Sequence, residues 1–268
     1  MLCFTMVLQM FNGMYGGYQN VCETAENILE NSTYICSKYN LPSFSLSFNE
    51  INEFALNSHK KYFKAKQEGF FKEITPVDFI INNKKISLYE DESPRKNLTL
   101  DSLNNMKPLF RKNGMVTAGN ITKLNDGAAA LVLMSQEKAE EFGITPLGNW
   151  VTSDAGNVEP QFMGIGPIIA IRNLLTKVAL QIKDVDIFEI NEAQAQQVLF
   201  CVRALELDNN KVNVNGGAIA LGHPPGMTGV RLILTALEEL QRRSVNLAIC
   251  SQCAGGGTGM ATLIKHNL

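Results

Sequence analysis

VDIFEINEAQAQQVLFCVRALEL, residues 185–207, changes character at its seventh position. The first six residues are strand-like, Asn191 marks the break, and a helix is expected over 192–207. Downstream, 212–214 reads as a short strand meeting a Gly216-Gly217 turn, and 218–221 leads to Gly222-His223-Pro224. A helix running to about Arg242 follows, then a strand over 247–252, the glycines 255–257 and a strand over 258–264. The last two strands are expected to close as a tight hairpin.

Upstream, Pro167 opens a helix whose apolar stripe is Ile168, Ile171, Leu174, Leu175 and Val178. The small, apolar run 128–134 is expected to be a strand covered on both faces. Ser135 then begins a charged helix that Gly143 closes. Further back, Ser47 and Glu50 have capping-box spacing ahead of a helix with Ile51, Phe54, Ala55, Ser58 and Tyr62 at three- and four-residue intervals, ended by Gly69. Strands are expected at 77–81 and 86–89 across Asn82-Asn83, and a helix at 24–39 with Thr24 as N-cap. Residues 91–110, broken by Pro94 and Pro108, read as irregular, and 1–20 is Met-, Gly- and Tyr-rich without a period. Alternating strands and helices give an α/β architecture.

The bulk composition removes several classes of function. Over 268 residues the chain is 45% hydrophobic and 19% charged, with a net charge of -2. That is a globular balance without the basic excess of a nucleic-acid surface. No apolar run approaches the roughly 18 residues of a membrane span. The apolar opening lacks a basic leader and a cleavage site, so no signal peptide is expected. Six scattered cysteines describe a reducing compartment rather than a disulfide framework.

Three places carry candidate chemistry. Asn191, at a strand-to-helix junction, is either the cap of the following helix or an amide facing a ligand. His223 lies in a loop whose glycines and prolines fix its direction, yet a lone loop histidine is often ordinary. Cys250-Ser-Gln-Cys253 has no second ligand pair for zinc, and no metal is expected. It also opens a turn rather than a helix, unlike a thioredoxin-type pair. Alternation sends the two thiols to opposite faces, with Cys250 the better core residue. The glycines after Cys253 lack a P-loop ending but let backbone N–H groups approach an oxyanion.

Taken together, Asn191-Glu-Ala-Gln-Ala, Asn215-Gly-Gly-Ala-Ile-Ala-Leu-Gly-His-Pro and Cys253-Ala-Gly-Gly-Gly-Thr-Gly-Met-Ala resemble the thiolase family. Val116-Thr-Ala-Gly-Asn, Leu124-Asn-Asp-Gly-Ala-Ala-Ala and Met163-Gly-Ile-Gly-Pro fit it in order and spacing. The resemblance runs from Thr24-Ala-Glu-Asn onward and leans toward mitochondrial-type 3-ketoacyl-CoA thiolases, with acetyl-CoA acetyltransferases as the alternative. It implies a layered α-β-α fold with most of the first half missing. Residues 1–23 do not match, 24–115 resemble the coenzyme A-binding loop domain, 116–145 the end of the first half, and 146–268 the complete second half.

The same resemblance assigns roles. His223 would activate a nucleophilic cysteine and help bind the thioester oxygen, and Asn191 would hold a water in that oxyanion site. Cys253 would be general acid and base, and the Gly255 N–H would form half of a second oxyanion hole. Arg95 and Ser102 would grip the nucleotide end of coenzyme A, with Ala118 and Thr122 along its pantetheine arm. Coenzyme A and acyl-CoA would be substrates, with no tightly bound cofactor. The partners implied are copies of the chain, as a dimer or tetramer. The location implied is mitochondrial, with cytosol or peroxisome as alternatives. A cysteine at position 253, where related synthases carry a histidine, favours thiolase over synthase.

The sequence departs from the pattern at Gln194, Pro225, Ala254 and Lys123. More consequentially, none of the six cysteines has the Cys-x-Ser-Gly context of the family's nucleophile. The expectation is a chain inactive alone, or a non-catalytic acyl-CoA binder or partner subunit. A sheet without its central strands would also expose an apolar face.

Overall fold

The structure, a computed structural model, describes residues 21–266. Cys3 and the 1–20 stretch singled out above lie outside that range. The elements in chain order begin with α1 (Val21–Glu30), α2 (Ser32–Lys38), α3 (Phe48–Gln67), β1 (Val77–Ile81), β2 (Lys84–Leu88) and α4 (Leu100–Asn104). Next come α5 (Gln136–Glu141), β3 (Asn149–Asn157), α6 (Gly166–Lys177), β4 (Ile187–Ile190) and α7 (Ala195–Ala204). The chain continues through α8 (Ala218–Leu221), α9 (Thr228–Arg243), β5 (Leu247–Ala254) and β6 (Thr258–Lys265).

A four-stranded sheet in the order β3-β6-β5-β4 organises the second half. β4 and β5 run parallel, while β5 with β6 and β6 with β3 run antiparallel. Side chains alternate across it as a period of two requires. Ile187, Ala248, Cys250 and Ile264 pack under α9 with Leu232, Ala236, Leu237 and Leu240. Phe188, Ile190, Ile249, Ala261 and Leu263 face the opposite way, into the larger core with α6 and α7. The result is helix, sheet, helix. A Cβ added at Gly166 would lie 2.7 Å from the Gly259 nitrogen, so the start of α6 rests directly on the β6 backbone.

The long α3 begins at the expected capping box. Glu50 N–H donates to Ser47 Oγ at 3.2 Å and Ser47 N–H to the Glu50 carboxylate at 2.9 Å. Its inner face buries Ile51, Ala55, Leu56 and Tyr62, but also Asn52, Ser58 and His59. The β1–β2 hairpin turns through Asn82 and Asn83, both at positive φ, as a tight primed turn demands.

Several expectations need correction. The 24–39 helix is two, α1 and α2, and Thr24 lies inside α1 with its hydroxyl on the Val21 carbonyl rather than capping it. The irregular 91–110 stretch contains α4, capped reciprocally by Thr99 and Ser102. The edge strand β3 escaped detection because Asn149–Asn157 is polar and only partly buried, without an apolar alternation to mark it. Val212–Val214 is not a full strand; one parallel bridge joins Val212 to Phe188.

The largest difference is at 128–134. That run has no strand partner among the described residues, and Val132 is 84% exposed. Composition marks a segment fit for burial on both faces, but a strand exists only where a neighbour completes its ladder.

Candidate active site

The site is built at the carboxyl ends of β4 and β5, where parallel strands leave backbone groups facing outward. Asn213, at positive φ, closes the end of β4 with its side chain. Its Oδ1 accepts from Ile190 N–H at 2.8 Å, and its Nδ2 donates to the Ile190 carbonyl at 2.9 Å. One residue on, Asn191 N–H donates to the Ser251 carbonyl at 2.9 Å, extending the pairing toward β5.

The Asn191 side chain is 1% exposed, and its Oδ1 has no protein donor. It does not cap α7. Residues 191–194 stay out of the helix because Gln194 bridges to Ile121 and Ala195 N–H donates to the Asn120 carbonyl at 2.8 Å. The helix therefore starts at Ala195 rather than 192. An unmatched buried carbonyl oxygen is costly in a core and fits a place where a ligand or water donates.

Glu192, which the sequence reading did not assign a role, organises the histidine loop. Its fully buried carboxylate accepts from Ser58 Oγ at 2.7 Å, Ile219 N–H at 3.0 Å and Asn213 Nδ2 at 2.9 Å. Ser58 Oγ in turn accepts from Gly217 N–H at 3.0 Å. A Cβ at Gly217 would lie 2.3 Å from the carboxylate carbon, so glycine is required for this approach. A buried acid directly after a strand, four residues before Gln196, was the available signal; the bonds it makes come from segments 27 and 134 residues away.

His223 is held at two points. Its N–H donates to the Lys123 carbonyl at 2.9 Å, and its Nδ1 lies 2.7 Å from Thr228 Oγ1. Thr228 Oγ1 donates its one proton to the Pro224 carbonyl at 2.9 Å. The hydroxyl must then accept from Nδ1–H, which leaves Nε2 with the lone pair. Burial, reinforced by the nearby Arg231 charge, holds the imidazole below its ordinary pKa. At neutral pH the ring is a base at Nε2.

Cys253 is the second-last residue of β5, opposite Gly259 on β6. Part of its surface is open, while burial of the thiol pushes its pKa up to about 11. It carries its proton at pH 7. Cys250 points the other way, with Sγ on the Leu232 carbonyl of α9 at 3.4 Å. Cys253 shares the parity of Ile249 and lies within electrostatic reach of Cys201 on α7. The opposite-face expectation holds.

Ser251-Gln252-Cys253 is thus flanked on one side by Asn191. On the other lies the first turn of α9, where a Cβ at Gly229 would be 3.5 Å from Gln252 Nε2. Gly255 sits exposed in the β5–β6 turn, whose Gly257 carbonyl accepts from Val158 N–H at 2.7 Å.

A second strip leads away from this cluster. Thr122 Oγ1 donates to the Ala218 carbonyl at 2.7 Å, and Lys123 holds His223 as described. Arg95 Nη2 donates to the Ala118 carbonyl at 3.3 Å. Arg95, Ala118, Thr122 and His223 therefore lie along one path. Ser102 stands apart in its bonding, with its hydroxyl donating to the Thr99 carbonyl at 2.7 Å as part of the α4 cap. Two cavities lie elsewhere, one between α1 and Phe44, the other beside Asn40 and Arg172. Among the described residues no group of three metal-ligating side chains occurs.

Comparison with known proteins gives this arrangement its lineage. The thiolase N-terminal domain model matches residues 28–137, and the thiolase C-terminal domain model matches 144–266. The chain belongs to the thiolase family. It is 42% identical over 232 residues to a 3-ketoacyl-CoA thiolase of Bacillus subtilis, covering 83% of this chain and 59% of that one. It superposes on the Bacillus anthracis acetyl-CoA acetyltransferase with TM-score 0.87 at 42% identity, over 94% of this chain and 61% of that one. On human mitochondrial 3-ketoacyl-CoA thiolase in complex with CoA the TM-score is 0.83 at 37% identity, over 93% and 60%. The chain thus spans about three fifths of the thiolases it matches.

Proposed function

We propose that this chain supplies the acid–base groups, the oxyanion groups and the coenzyme grip of a thiolase. The reaction is cleavage of a 3-ketoacyl-CoA by coenzyme A to acetyl-CoA and a shortened acyl-CoA, or the reverse condensation. The observation that carries this reading is the His223 ring, turned by Thr228 so that Nε2 is left as the base, together with a protonated Cys253 at the end of β5. His223 takes the proton of a nucleophilic thiol, and that thiolate attacks the 3-keto carbon. The C–C bond breaks, and the departing acetyl-CoA carbanion takes the Cys253 proton. The incoming coenzyme A thiol then returns a proton to Cys253 as it attacks the acyl-enzyme, whose thioester bond breaks, and the released thiolate recovers its proton from His223. The unmatched Asn191 Oδ1 orders a water in the first oxyanion site, and Gly255 N–H serves the second.

Because no cysteine here has a Cys-x-Ser-Gly context, the attacking thiol is assigned to another polypeptide segment. The 268-residue chain should give no turnover in a spectrophotometric thiolysis assay; clear turnover would overturn that assignment. Arg95, Ala118, Thr122 and Ser102 are proposed to bind coenzyme A, as substrate rather than fixed cofactor. For Arg95, Ala118 and Thr122 this reading is supported by the path they form, and for all four by the resemblance and by the coenzyme in the human relative. Calorimetry should detect coenzyme A binding, and silence at millimolar ligand would remove the binding role. Assembly as a dimer or tetramer and a mitochondrial site of fatty-acid breakdown complete the proposal.

A further inference from the structure

α3 contributes two adjacent polar residues to the interior, and each holds a different part of the site. Ser58 and His59 are both 3% exposed. Neighbours on a helix diverge by about 100°, so one helix can brace two loops. Ser58 bonds Glu192 and the Gly217 N–H, as described. His59 turns instead to the segment carrying Arg95, where its Nδ1 accepts from the Arg95 N–H at 3.1 Å. An acceptor at Nδ1 fixes the neutral tautomer with the proton on Nε2. Burial, and then the charges of Arg95 and Lys123, keep the ring neutral.

The Arg95 segment is tied down at three points. Ser93, 2% exposed, bonds Asn125 at 3.0 Å; His59 holds the Arg95 backbone; and Ala118 receives its guanidinium. Of these, the His59 bond alone reaches across from α3. The others lie within the strip that also carries Thr122 and, through the Lys123 carbonyl, His223.

We infer that His59 is a positioning residue: it fixes the register of Arg95 against the 118–125 strip. An anionic coenzyme end held by Arg95 is thereby kept at a set distance from His223. The inference rests on the proposed coenzyme A binding for its ligand, though not for its geometry.

The test compares His59→Asn with His59→Gln in the full chain. Asparagine presents its carbonyl oxygen where Nδ1 stands; glutamine presents it nearer the position of Nε2. Both are neutral amides, so a general loss of folding would affect them alike. Coenzyme A affinity is expected to be retained in His59→Asn and to fall about tenfold in His59→Gln. Affinity for pantetheine, which lacks the nucleotide, should stay within about twofold in both. Equal coenzyme A affinities, or equal losses for pantetheine and coenzyme A, would overturn the inference. If the unmodified chain binds no coenzyme A, the binding proposal fails and amide exchange of the Arg95 peptide decides this one. Protection in the unmodified chain and His59→Asn but not in His59→Gln supports it; equal protection in all three refutes it.

Discussion

Removing the Glu192 carboxylate should cost more than any other single substitution at the site, and the structure says why. Three donors converge on it: Ser58 Oγ, Ile219 N–H and Asn213 Nδ2. Hydrogen bonds to a charged acceptor contribute roughly 1.5–3 kcal/mol each. Glu192→Ala strands all three, and water entering the space returns part of the loss, leaving about 3–5 kcal/mol. Glu192→Gln is the sharper probe. Its oxygen can keep Ser58 and Ile219, but its NH2 must then face the Asn213 amide donor. Asn213 cannot turn over, since its Oδ1 already accepts from Ile190 N–H. One opposed donor pair costs about 1–3 kcal/mol. Urea unfolding followed by two coincident probes, with an unchanged slope, measures both values. The reasoning fails if Glu192→Ala costs under about 1 kcal/mol, or if Glu192→Gln costs as much as alanine.

Three further outcomes are expected. With its pKa near 11, Cys253 should react with iodoacetamide at pH 8 roughly 100-fold more slowly than a free thiol; a time course by mass spectrometry that finds ordinary rates refutes the protonated acid. His59 has its pKa depressed to about 4 in the folded chain, so it contributes stability that is complete above pH 6.5 and lost as pH falls toward 4. Relative to His59→Asn, the unmodified chain should lose at most about 3 kcal/mol across that window, and parallel stability–pH curves would refute the assignment. Val132→Lys, at an 84% exposed position, should change stability by under about 0.5 kcal/mol; a melting midpoint lowered by several degrees would mean that this segment is packed after all.

The contrast between 128–134 and 247–264 shows how far the sequence could be read. Both are apolar and strand-like. Only the second carries its own partner, because the glycines at 255–257 return the chain on itself and pair Cys250 with Thr262 and Cys253 with Gly259. Local pattern therefore predicted that hairpin, while 128–134 depends on a neighbour that no local pattern supplies. β3 failed for the opposite reason, being held by its register against β6 rather than by its own composition. Asn191, His223 and Cys253 stood out because they sit in motifs at turns and strand ends. Glu192 and His59 did not, and Ser58 was read only as part of the inner stripe of its helix, since a polar residue reveals a buried role only when its distant partner is known.

That distinction bears on how the site is made. The residues legible in the sequence are those proposed to face the reaction; the illegible ones are bonded to distant segments of the chain. His223 gains its direction from Lys123 and Thr228, its loop gains its path from Glu192 and Ser58, and Arg95 gains its place from His59. Two of these supports come from adjacent residues of α3, more than 30 positions before Arg95 and more than 150 before His223. A displacement of that helix would move the His223 loop and the Arg95 segment together, preserving the span between them. Substitution at Ser58 or His59 would instead move one without the other. The combination Ser58→Ala with His59→Gln should therefore weaken coenzyme A binding and loosen the histidine loop additively, within about 0.5 kcal/mol. Strong coupling between the two changes would mean that α3 transmits one strain rather than bracing two independent loops.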